Sequence, residues 1–309
     1  MTPALTTSRK RMSPLARREA IEGYLFITPW LLGLLIFILG PIMVSFYYSF
    51  TDFQVVKPPV FIGLENYKRL AVDRLFWQAV KVTTSYVFVS VPLGLVFSFT
   101  IALLMNQKVR LLSLWRTVYY LPSLVPVVAS TMLWLWIFNP QFGLLNTLLS
   151  YVGIEGPLWL GHTKWALPSL ILMSLWTVGG PMLIYLAGLQ GIPSDLYEAA
   201  EIDGAGTWAR FRSITLPLMT PIIFFNLVMN LIISFQVFAQ AFIMTEGGPR
   251  YATLLYVLYL YQNAFQFFRM GYASALAWVL CLIILILTVL VFRSSTAWVY
   301  YESELTGRA

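Results

Sequence analysis

Long apolar runs separated by short polar stretches set the pattern of the chain. A helix needs about 20 mainly apolar residues to cross the hydrocarbon core of a bilayer. Six stretches reach that length, at about 24–50, 79–105, 112–138, 165–190, 218–243 and 272–292. They predict an all-α membrane protein with six transmembrane helices. The six-helix domain runs over 23–293, between a basic N-tail at 1–22 and a C-tail at 294–309. The first run follows basic residues but is long, holds Pro29 and Pro41 and lacks a small-residue cleavage site. It therefore predicts an uncleaved span rather than a secretion signal. Proline recurs in the spans, at Pro92, Pro122, Pro126, Pro168, Pro181 and Pro221. Inside a bundle, neighbouring helices and hydroxyl side chains can satisfy the backbone groups that proline frees. Bent helices of this kind leave room for a central cavity.

Composition supports the membrane reading, since 59% of the 309 residues are hydrophobic and only 11% are charged. A soluble domain carries about a quarter charged residues. The formal charge of +7 does not imply nucleic acid, because the basic residues are thinly spread between apolar runs. They read instead as topology signals. With the N-tail (Arg9, Lys10, Arg11, Arg17, Arg18) in the cytoplasm, the loops near 106–116 and 191–217 and the C-tail fall there too. Twelve Lys or Arg then lie inside and eight outside, with both termini cytoplasmic. The segment GLENYKRLAVDRLFWQAV mixes aromatic and charged residues and predicts a short helix at the outer membrane face.

The spans are nearly free of Asp, Glu, Lys and Arg, so no proton or ion relay is visible. One cysteine (Cys281) and one histidine (His162) leave nothing from which to build a metal site or a catalytic triad. No Gly-rich loop ending in Gly-Lys-Ser/Thr occurs, so ATP should not bind this chain by that motif. Uphill transport would need energy from another polypeptide. In the fifth span Asn226, Asn230, Ser234, Gln236 and Gln240 interrupt the apolar run. At 100° per residue they occupy a wedge of roughly 160°. Polar groups facing lipid would each lose hydrogen bonds at a cost of about a few kcal/mol, so the wedge should face protein or water. Two readings stay open: the amides join helices to one another, or they line a path for uncharged, hydroxyl-rich solutes.

Between the fourth and fifth spans lies GIPSDLYEAAEIDGAGTWARFRSITLPLMTP, the loop at 191–217 and the start of the fifth span. Pro193 and Ser194 suit a helix start, and Asp195 and Glu198 complement its positive end. Gly204 and Gly206 should break that helix, one of them as a left-handed stop. Thr207 can cap a second short helix, and Pro217 opens the fifth span. The product is a helix-turn-helix knob, with small alanines on one side, able to seat in another protein's groove.

Here the sequence resembles a family. Glu198-Ala199-Ala200, then Gly204, then Ile214-Thr215-Leu216-Pro217 match the EAA signature of bacterial ABC importer permeases. The fuller wording YEAAEIDGAGTWARFRSITLP is similar to the carbohydrate-uptake branch, in its maltose/glycerol-phosphate type of first permease subunit. GYLFITPWLLGLLIF, GLENYKRL and MTEGGPRYAT followed by MGYASALAWVL extend the likeness from about residue 20. The large outer domain and additional N-terminal helices of the enteric maltose subunit are not matched.

The resemblance implies a multi-pass subunit of a bacterial or archaeal cytoplasmic membrane. It would pair with a second, related permease subunit in a heterodimer. Two ATPase subunits would hold ATP and Mg, and an extracytoplasmic sugar-binding protein would deliver a di- or oligosaccharide. No cofactor is expected in this chain itself, which is then no enzyme. The loop becomes a coupling helix. Glu198 would pair with a basic group on the ATPase, Ala199 and Ala200 would allow close packing, and Gly204 would permit the turn. Asp203, Ile214, Leu216 and Pro217 belong to the same signature. The TEGGP segment, with Glu246, Gly247, Gly248 and Pro249, is either a tight turn after a span or, by resemblance, an outer-side contact near the solute path and the binding protein. A stand-alone secondary transporter or channel is the rival reading, and a membrane-embedded enzyme a weaker one.

Overall fold

A computed structural model of the protein describes residues 13–107 and 110–300. Of the basic residues used above for orientation, Arg9, Lys10, Arg11, Lys108 and Arg308 lie outside the described residues. The fold is mostly helical. Helix α1 spans Pro14–Ser49. A β-hairpin follows, β1 (Thr51–Gln54) and β2 (Lys57–Phe61), and then the short helix α2 (Glu65–Val72). Next come α3 (Arg74–Met105), α4 (Leu112–Leu124), α5 (Val127–Ile137) and α6 (Leu144–Tyr151). Helices α7 (Ala166–Thr177) and α8 (Gly179–Gln190) form a bent pair. The chain ends through α9 (Ser194–Ile202), α10 (Leu216–Phe235), α11 (Ala239–Met244), α12 (Tyr256–Tyr261) and α13 (Met270–Ser295).

Among the described residues, four helical stretches are long and apolar enough to cross a membrane: α1, α3, Thr207–Met244 and α13. The number rises to six if each of two bent pairs counts as one span. The span expected at 112–138 consists of α4 and α5 meeting at 100°, and the span at 165–190 of α7 and α8 meeting at 46°. Val125, held in extended backbone by the following proline, ends α4, and Pro126 is the N-cap from which α5 restarts.

Helix α3 is the axis of the fold. Its buried positions Phe76, Ala79, Val82, Thr83, Tyr86, Val87, Ser90 and Val91, then Ser98, Ile101, Ala102 and Met105, recur every three or four residues. That spacing places them on one stripe. The first part of the stripe packs with Phe138, Leu170, Leu254–Tyr259, Ala275 and Leu276. The last part packs with Tyr185, Leu186, Leu189 and Met219 of a second core. In contrast, no residue of Pro14–Gly33 is buried, and Phe26 is 87% exposed. The second half of α1 returns to the bundle where the Phe46 ring meets Trp278 of α13, centroids 4.8 Å apart.

Two features depart from the sequence expectations. The chain is not wholly helical, since β1 and β2 pair antiparallel, Thr51 opposite Phe61 and Asp52 opposite Val60. Asn66 fixes the hairpin's base by donating to the carbonyls of Ser49 (3.0 Å) and Thr51 (2.9 Å). The surface helix expected over GLENYKRLAVDRLFWQAV stops at Val72, and Arg74 onward belongs to α3. Asp73 makes that break: its Oδ1 accepts from the Leu75 amide at 2.9 Å and caps the long helix.

Candidate functional site

The loop after α8 folds as a compact knob. Helix α9 ends in a Schellman turn, with the Ala205 amide on the Ala200 carbonyl (2.8 Å) and the Gly204 amide on that of Glu201 (3.0 Å). Gly204 has φ +78°, a conformation that costs other residues a steric penalty, so of the two glycines it is the left-handed stop. Gly206 is extended and stands at the N-cap of the next turn, a place that Thr207 was expected to fill. Thr207–Arg210 runs through a π turn, Phe211–Thr215, straight into α10. The second half of the knob is therefore the base of α10 and not a separate helix. Glu198, Ala199, Asp203 and Gly204 are exposed, whereas Ala200, Ile214 and Pro217 are half-buried and Leu216 is exposed. Arg210 and Glu201 close the turn with an ion pair at 3.0 Å. At such an exposed site a pair contributes about 0–1 kcal/mol, so it orders the turn more than it stabilises it.

A cavity of about 370 Å³ lies midway along α3. Tyr86, Ser90 and Gly94 form one wall, and Asn230, Ser234 and Gln240 form another. All three interruptions of the helices border it. Pro122, Val125 and Val127 mark the α4–α5 bend, Thr177, Val178 and Pro181 the α7–α8 bend, and Val237 the break between α10 and α11. None of the described residues that line it is charged. Ser123, Ser130, Ser174 and Thr177 donate their hydroxyls to carbonyls three residues back, which leaves oxygen lone pairs free to accept. The Ser90 hydroxyl is buried without a partner among the described residues.

The five polar residues of the fifth span do not act as one wedge. Asn230, Ser234 and Gln240 reach the cavity. Asn226 is 2% exposed, points elsewhere and donates to the Ile222 carbonyl at 3.0 Å. Gln236 lines a separate lateral groove with Leu260, Leu280 and Cys281. The angular arithmetic assumed one continuous helix, and the chain unwinds at 236–238. The cavity hydroxyls of α3, α4, α5 and α7 were missed from sequence; small polar residues within apolar runs were the only available signal.

At the far end of α3 from the knob, the segment Thr245–Leu255 folds back on the bundle. The Thr253 hydroxyl donates to the Gly248 carbonyl at 2.7 Å, and Gln78 of α3 reaches the Tyr251 carbonyl at 3.3 Å. Glu246 is exposed and Gly247 buried, while Gly248 and Pro249 are half-buried. Leu103 and Asn106, at the other end of α3, lie beside Tyr197 and Trp208 of the knob. Knob and TEGGP loop are thus separated by roughly 40 Å, at 1.5 Å per helical residue. Next to the TEGGP end, the Asp73 carboxylate also accepts hydroxyls from Tyr259 and Tyr272. Burial pulls the Asp73 carboxyl upward, but the bonds from Tyr259, Tyr272 and the Leu75 and Phe76 amides outweigh it and hold it below the ordinary carboxylate value.

Residues 90–299 match the family described as binding-protein-dependent transport system inner membrane component. A probable ABC transporter permease protein, YesP of Bacillus subtilis, is 46% identical over 293 residues, covering 93% of this chain and 94% of that relative. The trehalose/maltose transport system permease protein MalF of Thermococcus litoralis is 38% identical over 261 residues, 84% of this chain and 87% of the relative. The fold is also similar to a chain in the crystal structure of a bacterial alginate ABC transporter in complex with an alginate pentasaccharide-bound periplasmic protein. There the TM-score is 0.79 at 25% identity, over 90% of this chain and 95% of that one.

Proposed function

The chain belongs to the family of binding-protein-dependent transport system inner membrane components, and on that premise we propose how it works as a sugar permease subunit of an ABC importer. It crosses the cytoplasmic membrane six times, each bent pair forming one span, with both termini inside. A second, related permease completes the translocation unit. Two ATPase subunits bind ATP and Mg below it, and an extracytoplasmic binding protein delivers a di- or oligosaccharide. Relatives whose names cite trehalose, maltose and lactose support this substrate class.

The observation that carries the mechanism is continuity. The second half of the knob, tied to the helix that bears Glu198, Ala199 and Ala200 by the Arg210–Glu201 pair, continues through a π turn into α10, whose far end lines a neutral, hydroxyl-rich cavity. ATP closes the ATPase dimer, the dimer moves the knob, and α10 carries the displacement to the cavity wall. A ligand or partner shifts such an equilibrium only by differential contact with its two states, so the knob must be held firmly on the ATPase. Sugar hydroxyls would exchange bonds with Asn230, Ser234, Gln240 and the serines opposite, none of which offers a charge that could trap an ion. Glu246 to Pro249 lie on the outer side, where the binding protein docks.

Proteoliposomes holding this chain with its partner permease, ATPase and binding protein test the reading. Labelled trehalose, maltose and lactose are offered with ATP supplied or withheld. Accumulation that needs ATP supports it. Uptake that proceeds without ATP and follows an ion gradient favours a stand-alone secondary transporter.

A further inference from the structure

The knob is tied to its span by a bond between Tyr197, which precedes Glu198-Ala199-Ala200, and Thr215, at the other end of the signature. Tyr197 sits on α9 between the exposed Leu196 and Glu198, yet its hydroxyl lies 2.9 Å from the Thr215 hydroxyl. Thr215 is 6% exposed and closes the π turn from which α10 starts. π turns interrupt the regular ladder and are frequent at functional sites. A π turn between a pushed element and the helix it must move is a place where displacement can be absorbed. The Tyr197–Thr215 bond spans that turn from outside. It connects α9 directly to the last residue before Leu216, so that the π turn is braced.

Resting on the permease reading above, the geometry points to Tyr197 as a positioning residue for energy coupling. Its hydroxyl, held by Thr215, makes α9 and α10 a single lever, so that movement of α9 reaches the cavity instead of being lost in the π turn. Tyr197 itself need touch neither nucleotide nor sugar. The phenyl ring keeps its place in the knob whether or not the hydroxyl is present, so Tyr197→Phe removes the brace and little else.

The test uses the complete complex with Cys281 replaced by serine, and nitroxide labels at Leu124→Cys on α4 and Met229→Cys on α10. Both label positions are exposed. The probe is MgATP with vanadate, and the readout is the shift in the inter-label distance distribution measured by pulsed electron resonance. ATPase retention and ATP hydrolysis are measured alongside. Tyr197→Phe and Thr215→Val should each keep the ATPase bound and hydrolysing while the nucleotide-driven population ratio falls about fivefold, at the low end of coupling between sites. Thr215→Ser should restore it, and the double variant should be no worse than either single one. A full shift in Tyr197→Phe, additive losses in the double variant, or release of the ATPase would overturn the lever. If the parent complex retains no ATPase at all, the permease reading fails, and the brace with it.

Discussion

The carboxylate of Asp73 accepts the phenol of Tyr259, a residue 186 positions further along the chain. The same oxygen accepts from Tyr272, while the other caps α3. One side chain therefore sets where α3 begins and fastens α12 and α13 to it. Replacement by alanine should cost about 2–4 kcal/mol, combining a lost N-cap with lost bonds to a charged acceptor. Hydrogen exchange should show faster opening at 255–272, with the knob unchanged.

Because the folded Asp73 carboxyl is held below its ordinary value, its stabilisation is fully present above the unfolded value of about 3.9 and is lost as pH falls through the lower folded value. The melting temperature of the parent protein should therefore drop on acidification below about pH 4. Asp73→Asn should show a smaller drop over that range. Equal drops in both proteins would remove Asp73 from the account.

Three amides on one predicted face should now behave differently. Asn230→Ala and Gln240→Ala, which alter the cavity wall, should reduce uptake by about tenfold with assembly intact, the effect of roughly 1.4 kcal/mol in an interaction with the solute. Gln236→Ala, at the lateral groove, should leave uptake within about twofold, as exposed substitutions commonly do. Initial uptake rates, with complex yield as the control, decide between a solute path and helix joinery.

Gly179 begins α8 against α4, where an added Cβ would lie 2.4 Å from the Tyr119 carbonyl oxygen and 2.8 Å from the Tyr120 Cα. Both are backbone atoms and cannot swing aside. Gly179→Ala should then cost about 1–3 kcal/mol through overpacking. It should push α4 away from the cavity rim, seen as lower thermal stability of the purified complex.

At the knob, Gly204→Val places a β-branched residue at φ +78°. The strain of about 1–3 kcal/mol should unravel the Schellman turn. Glu198→Lys reverses an exposed charge without touching the fold. Both variants should insert normally and lose co-purified ATPase, whereas a plain surface loop would leave retention unchanged.

The parts legible in the sequence were those set by local chemistry. Apolar length announced α1, α3, α10 and α13, and two glycines after an alanine-rich turn announced a left-handed stop, which the backbone assigns to Gly204 rather than Gly206. The bends were half-legible: the prolines marked 112–138 as bent, but nothing local in the sequence carries the 100° angle between α4 and α5. The hairpin was hidden because Pro58 and Pro59 argue against a strand and no Asn-Gly turn separates its arms. Gln236 was misplaced because it stands at the edge of the wedge and at the end of the helix, where the chain unwinds. The Asp73 cluster could not be seen, since its tyrosines are distant in sequence and close only after folding.

The most direct measurement concerns the knob itself. A single cysteine at Ala199, with Cys281 replaced by serine, is treated in whole cells with a membrane-impermeant maleimide from outside, and in inverted vesicles with a short cross-linker. The account predicts no labelling from outside and a covalent adduct with the ATPase subunit in the vesicles. Labelling of intact cells, with no ATPase adduct in the vesicles, would contradict it.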